Sequence, residues 1–352
     1  MTDAYARSGV SQNEADDAVG ALVAALARSA PAESRQALKS GHYANVIRLG
    51  AETGIAITTD GVGTKLVIAE QLGRWDTVGI DCVAMNVNDV ICVGAEPLAM
   101  VDYLAVEQAD PTALARIATG LKVGAQAANV EVPGGELAIL PELIRGHPSP
   151  HGFDLCGTAI GTVALDAIVT GAAASPGDAL IGLPSSGLHS NGYTLARRAL
   201  LDDAGLALDA TPPGLGGASV ADALLEPTVI YVRAVLDLLR SDVPVHGLAH
   251  ITGGGLLNLL RLDGARLGYA IEAPLPVPPV IALIAEAAGV PDEELWEVFN
   301  MGCGFVAVVP ADRADDAVAL LAARHPGTAR IGTVTDGAGR VTAPGVELVT
   351  TS

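Results

Sequence analysis

The alternation of short apolar segments with helical ones constrains the fold of this 352-residue chain more than any other feature. GIAITT (54–59) has the composition of a buried strand, whereas 111–128 repeats apolar residues at the spacing of an amphipathic helix. The alternation continues on both sides of a boundary near 168–176, which favours two domains, 1–168 and 169–352. We therefore predict an α/β fold built of α+β layers.

The second domain repeats the same kind of pattern with different sequences. Segments 178–183, 245–252 and 300–310 are apolar and typical of strands. Segments 193–204 and 226–240 have helical spacing, and we expect each to form a single helix. No sequence repeat relates the two domains.

Charge excludes several classes of partner. Asp and Glu total 40 against 20 Lys and Arg, which gives a formal net charge of −20. A surface this negative repels nucleic acid and anionic lipid, so we expect neither as a partner. If the substrates are phosphates, the site has to supply positive potential locally, from amide N–H groups, a few Arg or Lys residues, or a metal ion.

Cysteine usage and the N-terminus indicate the compartment. Cys82, Cys92, Cys156 and Cys303 form no CxxC pair and lie in apolar or glycine-rich stretches, as buried reduced thiols do. Residues 1–10 contain no apolar signal core, and no run of about 18 apolar residues occurs. We expect a soluble cytoplasmic protein.

Five polar, glycine-rich loops lie at the ends of predicted strands. They are TTDGVGTK (58–65), PGGELA (133–138), SSGLHSNGY (185–193), HITGGG (250–255) and FNMGCG (299–304). Ligands bind at strand ends in layered α/β proteins. One such loop is most often an ordinary turn, but five in one chain, each with polar residues beside glycine, indicate a binding site.

The first loop is not a Walker phosphate loop. That motif places four residues between its first glycine and Gly-Lys-Ser/Thr. Here one residue separates Gly61 from Gly63, and Thr64 lies between Gly63 and Lys65. The loop still permits close approach of a ligand to the backbone, and it adds a carboxylate, Asp60, and an ammonium group.

Acidic residues near these loops suggest a metal site. A carboxylate usually meets a triphosphate through Mg²⁺, which prefers one or two carboxylates together with phosphate oxygens. Asp60 needs a second carboxylate, and Asp89 or Glu136 could supply it. The structural alternatives are a helix N-cap for Asp60, a solvated helix position for Asp89 and a turn position for Glu136.

Helix spacing and histidine positions add further polar groups. In 77–93, Asp81 and Asn88 are seven residues apart and share one helix face. His189 and His250 lie in polar loops, where a histidine is most often only solvated. Groups near them can hydrogen-bond phosphate or ribose, and these groups belong to Ser190, Asn191, Thr252 and Gly253. No His/Cys cluster has zinc spacing.

Read in chain order, these loops resemble the phosphoribosylformylglycinamidine cyclo-ligase family, also called aminoimidazole ribonucleotide synthetases. The matching segments are TTDGVGTKL (58–66), GIDCVAMNVNDVICVGAEPL (79–98), GGELA (134–138), PSSGLHSNGYTLAR (184–197), LLEPTVIYV (224–232), AHITGGG (249–255) and FNMGCGF (299–305). The resemblance implies the ATP-dependent cyclisation of formylglycinamidine ribonucleotide to 5-aminoimidazole ribonucleotide in purine biosynthesis, with ATP and Mg²⁺ as cofactors. It also implies a homodimer in which N-terminal strands form a shared β-barrel.

The resemblance assigns a role to each loop. The residues expected to hold Mg²⁺ are Asp60, Asp89 and Glu136. The further residues expected at the nucleotide are Gly61, Gly63, Thr64 and Lys65. The residues expected at the substrate are His189, Ser190, Asn191, His250, Thr252, Gly253, Gly254 and Asn300. The residues expected to act in catalysis are His189, Asn88 and Lys65.

Two segments depart from the family pattern, and two other readings stay open. SGHYANVIRLG (40–50) lacks the family's glycine run before the first strand, and GGELAILPE (134–142) replaces GGETAEMPG. A kinase or synthetase of the same fold, of the thiamine-phosphate kinase or selenophosphate synthetase type, is one alternative. A non-catalytic nucleotide-binding protein is the other.

Overall fold

The computed structural model describes residues 12–27, 33–38 and 41–349. The first half holds a five-stranded sheet with helices on one side. Its elements are α1 (Gln12–Ala27), β1 (Asn45–Arg48), β2 (Thr53–Gly61), α2 (Leu66–Leu72), α3 (Val78–Cys92), β3 (Glu96–Val106), α4 (Pro111–Ala128), β4 (Glu131–Ile139) and β5 (Phe153–Ala164). The N-terminal segment 1–10, for which the sequence predicts no signal, lies outside the described residues.

The first sheet has the strand order β1-β2-β5-β3-β4. β3 and β4 run parallel, and the other neighbours are antiparallel. The long register of β5 against both β2 and β3 aligns Asp60, Gly157, Asp102 and Gly135 in one row across four strands. Because side chains alternate along a strand, the neighbouring row faces the opposite side of the sheet.

The second half holds a seven-stranded sheet with the order β12-β11-β8-β10-β6-β9-β7. Its elements are β6 (Ala179–Pro184), α5 (Tyr193–Arg197), α6 (Val220–Leu225), α7 (Val232–Leu239), β7 (Gly247–His250), β8 (Gly268–Ile271), α8 (Pro279–Ala288), α9 (Asp292–Val298), β9 (Cys303–Val309), α10 (Ala314–Ala322), β10 (Ala329–Thr335), β11 (Arg340–Ala343) and β12 (Val346–Val349). A π-helical turn extends α5 over Arg198–Asp203, and a 3₁₀ segment spans Gly255–Ala265.

Helix α3 lies between the two halves. It packs on β2 and β5 of the first sheet and on β7 and α7 of the second half. Gly79 of α3 lies against the backbone of α4, where an added Cβ would clash with Leu121, so the two helices approach closely. The helix is buried on nearly all sides, as expected for a helix packed between two layers.

The predicted fold class is confirmed, since both halves are mixed layers of helices and strands. The helix expected over 226–240 is present but shorter, because α7 begins at Val232 after the segment 226–231, which contains Pro227. Proline lacks an N–H and disfavours helical geometry in the residue before it, so the helix cannot continue through it. No helix of the described part of the chain is long and apolar enough to span a membrane.

Candidate active site

The end of strand β2 is fixed to helix α3 by a pair of hydrogen bonds. The N–H of Asp60 donates to Asn86 Oδ1 at 3.0 Å, and Asn86 Nδ2 donates to the Asp60 carbonyl at 3.1 Å. Asn86 Nδ2 also donates to the Cys82 carbonyl. A buried amide with both ends satisfied holds the strand end in one position. The carboxylate of Asp60 is therefore presented from a rigid support.

Asp60 lies close enough to Asp89 for the charge of Asp89 to affect the ionisation of Asp60. The pKa of Asp60 rises from its ordinary value of 3.8 to about 6, first because of burial and second because of the negative charge of Asp89. A hydrogen bond of 2.7 Å from the Gly61 N–H partly offsets this. Two carboxylates that repel each other in a half-buried position form a donor set suited to a divalent cation.

The pair needs further ligands to complete a metal site. The residues that the structure describes contain no group of three or more His, Cys, Asp or Glu side chains arranged to hold a metal ion. Mg²⁺ usually takes one or two carboxylates and completes its shell with water and phosphate oxygens. Asp60 and Asp89 therefore fit Mg²⁺ bound together with a phosphate ligand.

Asp89 is oriented by His250. His250 Nδ1 lies 2.9 Å from Asp89 Oδ1, and its Nε2 lies 3.4 Å from Asn88 Nδ2. Nδ1 therefore donates to the carboxylate while Nε2 accepts from the amide. His250 is fully buried, so the structure places it behind Asp89 rather than against a substrate.

Asn88 joins the two halves of the protein. Its Oδ1 accepts from the Tyr231 N–H at 3.0 Å, and its Nδ2 donates to the Val229 carbonyl at 2.9 Å. The side chain is fully buried. Its amide is thus occupied by the start of α7, and this placement does not support the predicted catalytic contact.

Glu136 lies apart from Asp60 in the same chain. It belongs to the row Gly61, Cys156, Tyr103 and Glu136, next to the row that contains Asp60, so the two carboxylates face opposite sides of the sheet. Three strand spacings separate them, which amounts to about 14 Å. Within one chain, the structure does not form the predicted site with Glu136 as a third metal ligand.

Lys65 does not point into open space. Its Nζ donates to Asp81 Oδ1 at 2.9 Å and to the carbonyls of Glu226 at 2.7 Å and His189 at 3.3 Å. The side chain is completely buried. Since these acceptors use the donors of the ammonium group, the position does not support the predicted phosphate contact.

Thr228 is a functional candidate that the sequence did not reveal, and Asp81 was recognised only as a polar position on a helix face. Asp81 accepts from the Thr228 N–H at 2.8 Å and the Thr228 Oγ1 at 2.7 Å, in addition to its ion pair with Lys65. A carboxylate inside an apolar helix has to find a cationic partner. That requirement was the signal in the sequence, although it did not identify the partner.

The loop that contains His189 lies against α3 and the 226–231 segment. His189 has φ +61° and is buried, and its Nε2 accepts from the Ser186 N–H at 3.3 Å. Burial lowers its pKa well below the usual range. Ser190 Oγ lies 3.3 Å from Thr228 Oγ1, and Asn191 Oδ1 lies beside Gly253. The half-buried Ser190 and Asn191 are therefore better placed than His189 to reach a ligand.

The loop after β7 is held by Asn258, another residue that sequence reasoning missed. Asn258 Nδ2 donates to the carbonyls of Gly253 at 3.0 Å and Gly255 at 2.8 Å. Gly254 has φ +94°, a conformation that favours glycine. Thr252, Gly253 and Gly254 are at least partly exposed, so this loop is open to a ligand.

Asn300 stabilises the Ser185–Gly187 turn through side-chain hydrogen bonds. Its Oδ1 accepts from Ser185 Oγ at 2.9 Å and from the Gly302 N–H at 2.9 Å, and its Nδ2 donates to the Gly187 carbonyl at 2.8 Å. Because the side chain is buried and hydrogen-bonded, Asn300 shapes the 185–193 loop and does not contact a ligand in this arrangement.

Gly61, Gly63 and Thr64 lie between the carboxylates and the second half. Gly63 has φ +72° and is exposed, as is Thr64. Thr64 Oγ1 lies 3.3 Å from Thr194 Oγ1, at the start of α5. The DGVGTK loop therefore meets the HSNGY loop, as the sequence predicts for two parts of one site.

Arg261 supplies positive potential next to the carboxylate pair. Its guanidinium lies 5.0 Å from the centre of the Tyr43 ring, and Tyr43 Oη donates to the Asn258 carbonyl at 2.9 Å. Its charge acts to lower the pKa of Asp60. The side chain is exposed. Tyr43 belongs to the segment that departs from the family's glycine run.

The two halves of the chain match two family models of the AIR synthase-related proteins. The family model "AIR synthase related protein, N-terminal domain" matches residues 41–163, and "AIR synthase related protein, C-terminal domain" matches residues 175–343. Together the two matches cover most of the chain.

Curated relatives identify the particular family. The phosphoribosylformylglycinamidine cyclo-ligase of Methanothermobacter thermautotrophicus is 51% identical over 298 residues, which is 84% of each chain. The enzyme of the same name from Thermococcus kodakarensis is 48% identical over 322 residues, 90% of this chain and 91% of the relative. The chain belongs to the phosphoribosylformylglycinamidine cyclo-ligase family, which confirms the resemblance found in the sequence.

Solved structures with the same fold are more distant in sequence. The structure of a HypE–HypF complex gives a TM-score of 0.64 at 20% identity, covering 94% of this chain and 99% of that chain. The hydrogenase maturation protein HypE in complex with ATP gives 0.62 at 22% identity, covering 86% of both chains. These similarities support the fold alone.

Proposed function

We propose that the protein closes the imidazole ring of 5-aminoimidazole ribonucleotide from formylglycinamidine ribonucleotide at the expense of ATP. The observation that carries this assignment is the 51% and 48% identity to two enzymes named phosphoribosylformylglycinamidine cyclo-ligase over most of the chain. The paired carboxylates beside glycine-rich loops support it, because they provide what a metal-bound triphosphate requires.

The chemical difficulty of this reaction is the leaving group. Amide resonance makes the formamide oxygen a poor one. Transfer of the γ-phosphoryl group of ATP to that oxygen yields ADP and an activated imidate. The ribosylated amidine nitrogen then attacks the same carbon, and loss of inorganic phosphate and a proton gives the imidazole. Positioning and charge neutralisation supply most of the catalysis in phosphoryl transfer.

The described residues divide between nucleotide and substrate. Asp60 and Asp89 would hold Mg²⁺, which would supply positive charge at the triphosphate. Arg261 adds a second positive charge on the same side. The exposed backbone of Gly63 and the hydroxyl of Thr64 are available to the phosphates. These groups provide positive potential at the site. The net charge of −20 would otherwise make the protein repel an anionic ligand.

The substrate contacts belong to the second half. Asn191 Oδ1 lies beside Gly253 of the open loop Thr252–Gly254, whose glycines permit close approach of a phosphate. Ser190 directly precedes Asn191 in the chain. His189 and His250 lie behind these loops and set their shape. We therefore assign direct contact to Ser190, Asn191 and the 252–254 loop.

A second copy of the chain is the proposed partner of the first sheet. Ile57, Val101, Tyr103 and Ile160 lie on the face opposite α3 and are 36% to 45% exposed. A contiguous apolar sheet face of this kind marks an interface. Pairing it with the same face of a second copy gives the shared barrel that the family resemblance implies.

The test is nucleotide turnover by the purified protein with Mg-ATP. ADP release that requires formylglycinamidine ribonucleotide supports the proposal. Release with thiamine phosphate instead would assign a kinase of the same fold, and release with neither compound would indicate a non-catalytic nucleotide-binding protein. Omission of Mg²⁺ in the presence of a chelator should abolish turnover.

A further inference from the structure

A buried ion pair lies where the two halves of the protein meet. Lys65 and Asp81 both have side chains with no exposed area, and Lys65 Nζ lies 2.8 Å from Asp81 Oδ2. Lys65 follows the DGVGTK loop, and Asp81 belongs to α3. Burial of a charged pair costs several kcal/mol in desolvation before any gain from the pairing. Stability alone is therefore a poor reason for this arrangement.

The remaining donors of Lys65 cross to the second half. One accepting carbonyl is that of Glu226, at 2.7 Å, and the other is that of His189, at 3.3 Å. Burial lowers the pKa of Lys65 while the charge of Asp81 opposes that change. Because all three donors of its ammonium group are directed at fixed acceptors, Lys65 connects Asp81 with the carbonyls of Glu226 and His189.

Both carbonyls belong to segments that shape the proposed substrate loop. His189 holds a left-handed backbone conformation, φ +61°, which is uncommon for a residue with a side chain. The Glu226 carbonyl precedes Pro227 and Thr228, and Thr228 contacts Asp81 and Ser190. Lys65 thus fixes the backbone directly before Ser190 and Asn191.

We propose that Lys65 is a positioning residue that couples the DGVGTK loop to the HSNGY loop, so that the substrate side of the site forms only when the ammonium group links Asp81 to the two carbonyls. This role rests on the proposed function for its kinetic consequence. It predicts that loss of Lys65 weakens substrate binding and leaves Mg-ATP binding intact, because Asp60 and Asp89 are held by Asn86 and His250 instead.

The experiment compares Lys65→Met/Asp81→Asn with wild type and with Lys122→Met. The double variant removes both charges, so that no unpaired carboxylate stays buried, and Lys122 is an exposed control of the same kind. We expect KM for formylglycinamidine ribonucleotide to rise about tenfold or more, the size of one lost hydrogen bond to a charged group. The dissociation constant of a non-hydrolysable Mg-ATP analogue should change less than about threefold.

Hydrogen exchange provides a readout that needs no substrate. Backbone amides in 185–191 and 226–228 should exchange about tenfold faster or more in the double variant, and at wild-type rates in Lys122→Met. Failure of wild type to convert formylglycinamidine ribonucleotide would refute the proposed function, while the exchange comparison would still decide the role of Lys65.

Two outcomes would overturn the proposal. One is a double variant with wild-type KM and wild-type exchange in both segments. The other is a parallel loss of Mg-ATP affinity, which would place Lys65 at the nucleotide. If the double variant does not fold, Thr228→Val removes one hydroxyl from the same network. That variant should show a smaller increase in KM with unchanged nucleotide affinity, and an unchanged KM would count against the coupling.

Discussion

Replacement of Asp60 by asparagine should stabilise the ligand-free protein while removing its response to Mg²⁺. The pKa of Asp60 rises from 3.8 to about 6 because of burial and the charge of Asp89. With 1.36 kcal/mol for each tenfold change in an ionisation constant, ionisation costs about 3 kcal/mol more in the folded protein than in the unfolded chain. The asparagine side chain keeps an oxygen that can accept from the Gly61 N–H, so the backbone geometry persists.

The pH dependence links this effect to the ionisation of Asp60. Well below pH 3.8, Asp60 is protonated in both states and the cost is absent. The cost grows as pH rises through the interval from 3.8 to about 6, and it is complete above that interval. Since the carboxyl retains some solvent contact, we expect a net gain of about 1 to 2 kcal/mol at pH 8 and roughly a fifth of that gain at pH 4.

Urea denaturation in the presence of a chelator measures this gain, with Asp209→Asn as the control at an exposed position. In the same titrations, added Mg²⁺ and an ATP analogue should raise the free energy of unfolding of wild type and leave that of Asp60→Asn unchanged. A variant that is less stable than wild type at pH 8, or a difference that does not change between pH 4 and pH 8, would refute the raised pKa of Asp60 on which this prediction rests.

Three other substitutions test separate parts of the structure. In wild type, the free energy of unfolding should fall by up to about 1.4 kcal/mol per pH unit below pH 6.5, because the unfolded chain takes up a proton there and the folded His189 does not. His189→Gln should abolish this fall. Urea titrations at pH 7.5 and 5.5 measure it, and the same fall in both proteins would contradict the reasoning. Tyr103→Asp should convert a dimer to a monomer in sedimentation experiments, because it buries charge in the apolar sheet face; a wild-type monomer or an unchanged dimer would count against the barrel. Asn300→Ala should lower the free energy of unfolding by about 1 to 3 kcal/mol, because it leaves the Ser185 hydroxyl and the Gly187 carbonyl without this partner. Unchanged thermal unfolding would show that the turn does not depend on Asn300.

Elements with complete local signals were predictable from the sequence. Segment 111–128 matches α4 because Asp110 caps the helix through the Thr112 N–H, proline occupies the first helical position, and Asn129 ends it with φ +60°. Strand β2 likewise matches GIAITT and ends near Asp60. All these signals lie within a few residues of the element that they define.

Features that depend on partners distant in sequence were not predictable. Lys65 beside two glycines suggested a phosphate contact, but its acceptors are 16, 124 and 161 residues away. Strand order decides whether Glu136 can reach Asp60, and the sequence does not contain that order. The helix expected over 226–240 begins only at Val232, because Pro227 disfavours helical geometry before it and Asn88 of another element holds the Val229 carbonyl. The proline is visible in the sequence, but the contact with Asn88 is not.

The proposed site rests on the geometry of Asp60 and Asp89 together with the family relationship, and both point to phosphoryl transfer. The measurement that tests this most directly uses formylglycinamidine ribonucleotide with ¹⁸O in the formyl group. After turnover with unlabelled Mg-ATP, phosphorus NMR should find the label in inorganic phosphate, one labelled oxygen per phosphate released. Release of unlabelled phosphate alongside ring closure would contradict transfer of the phosphoryl group to the formamide oxygen.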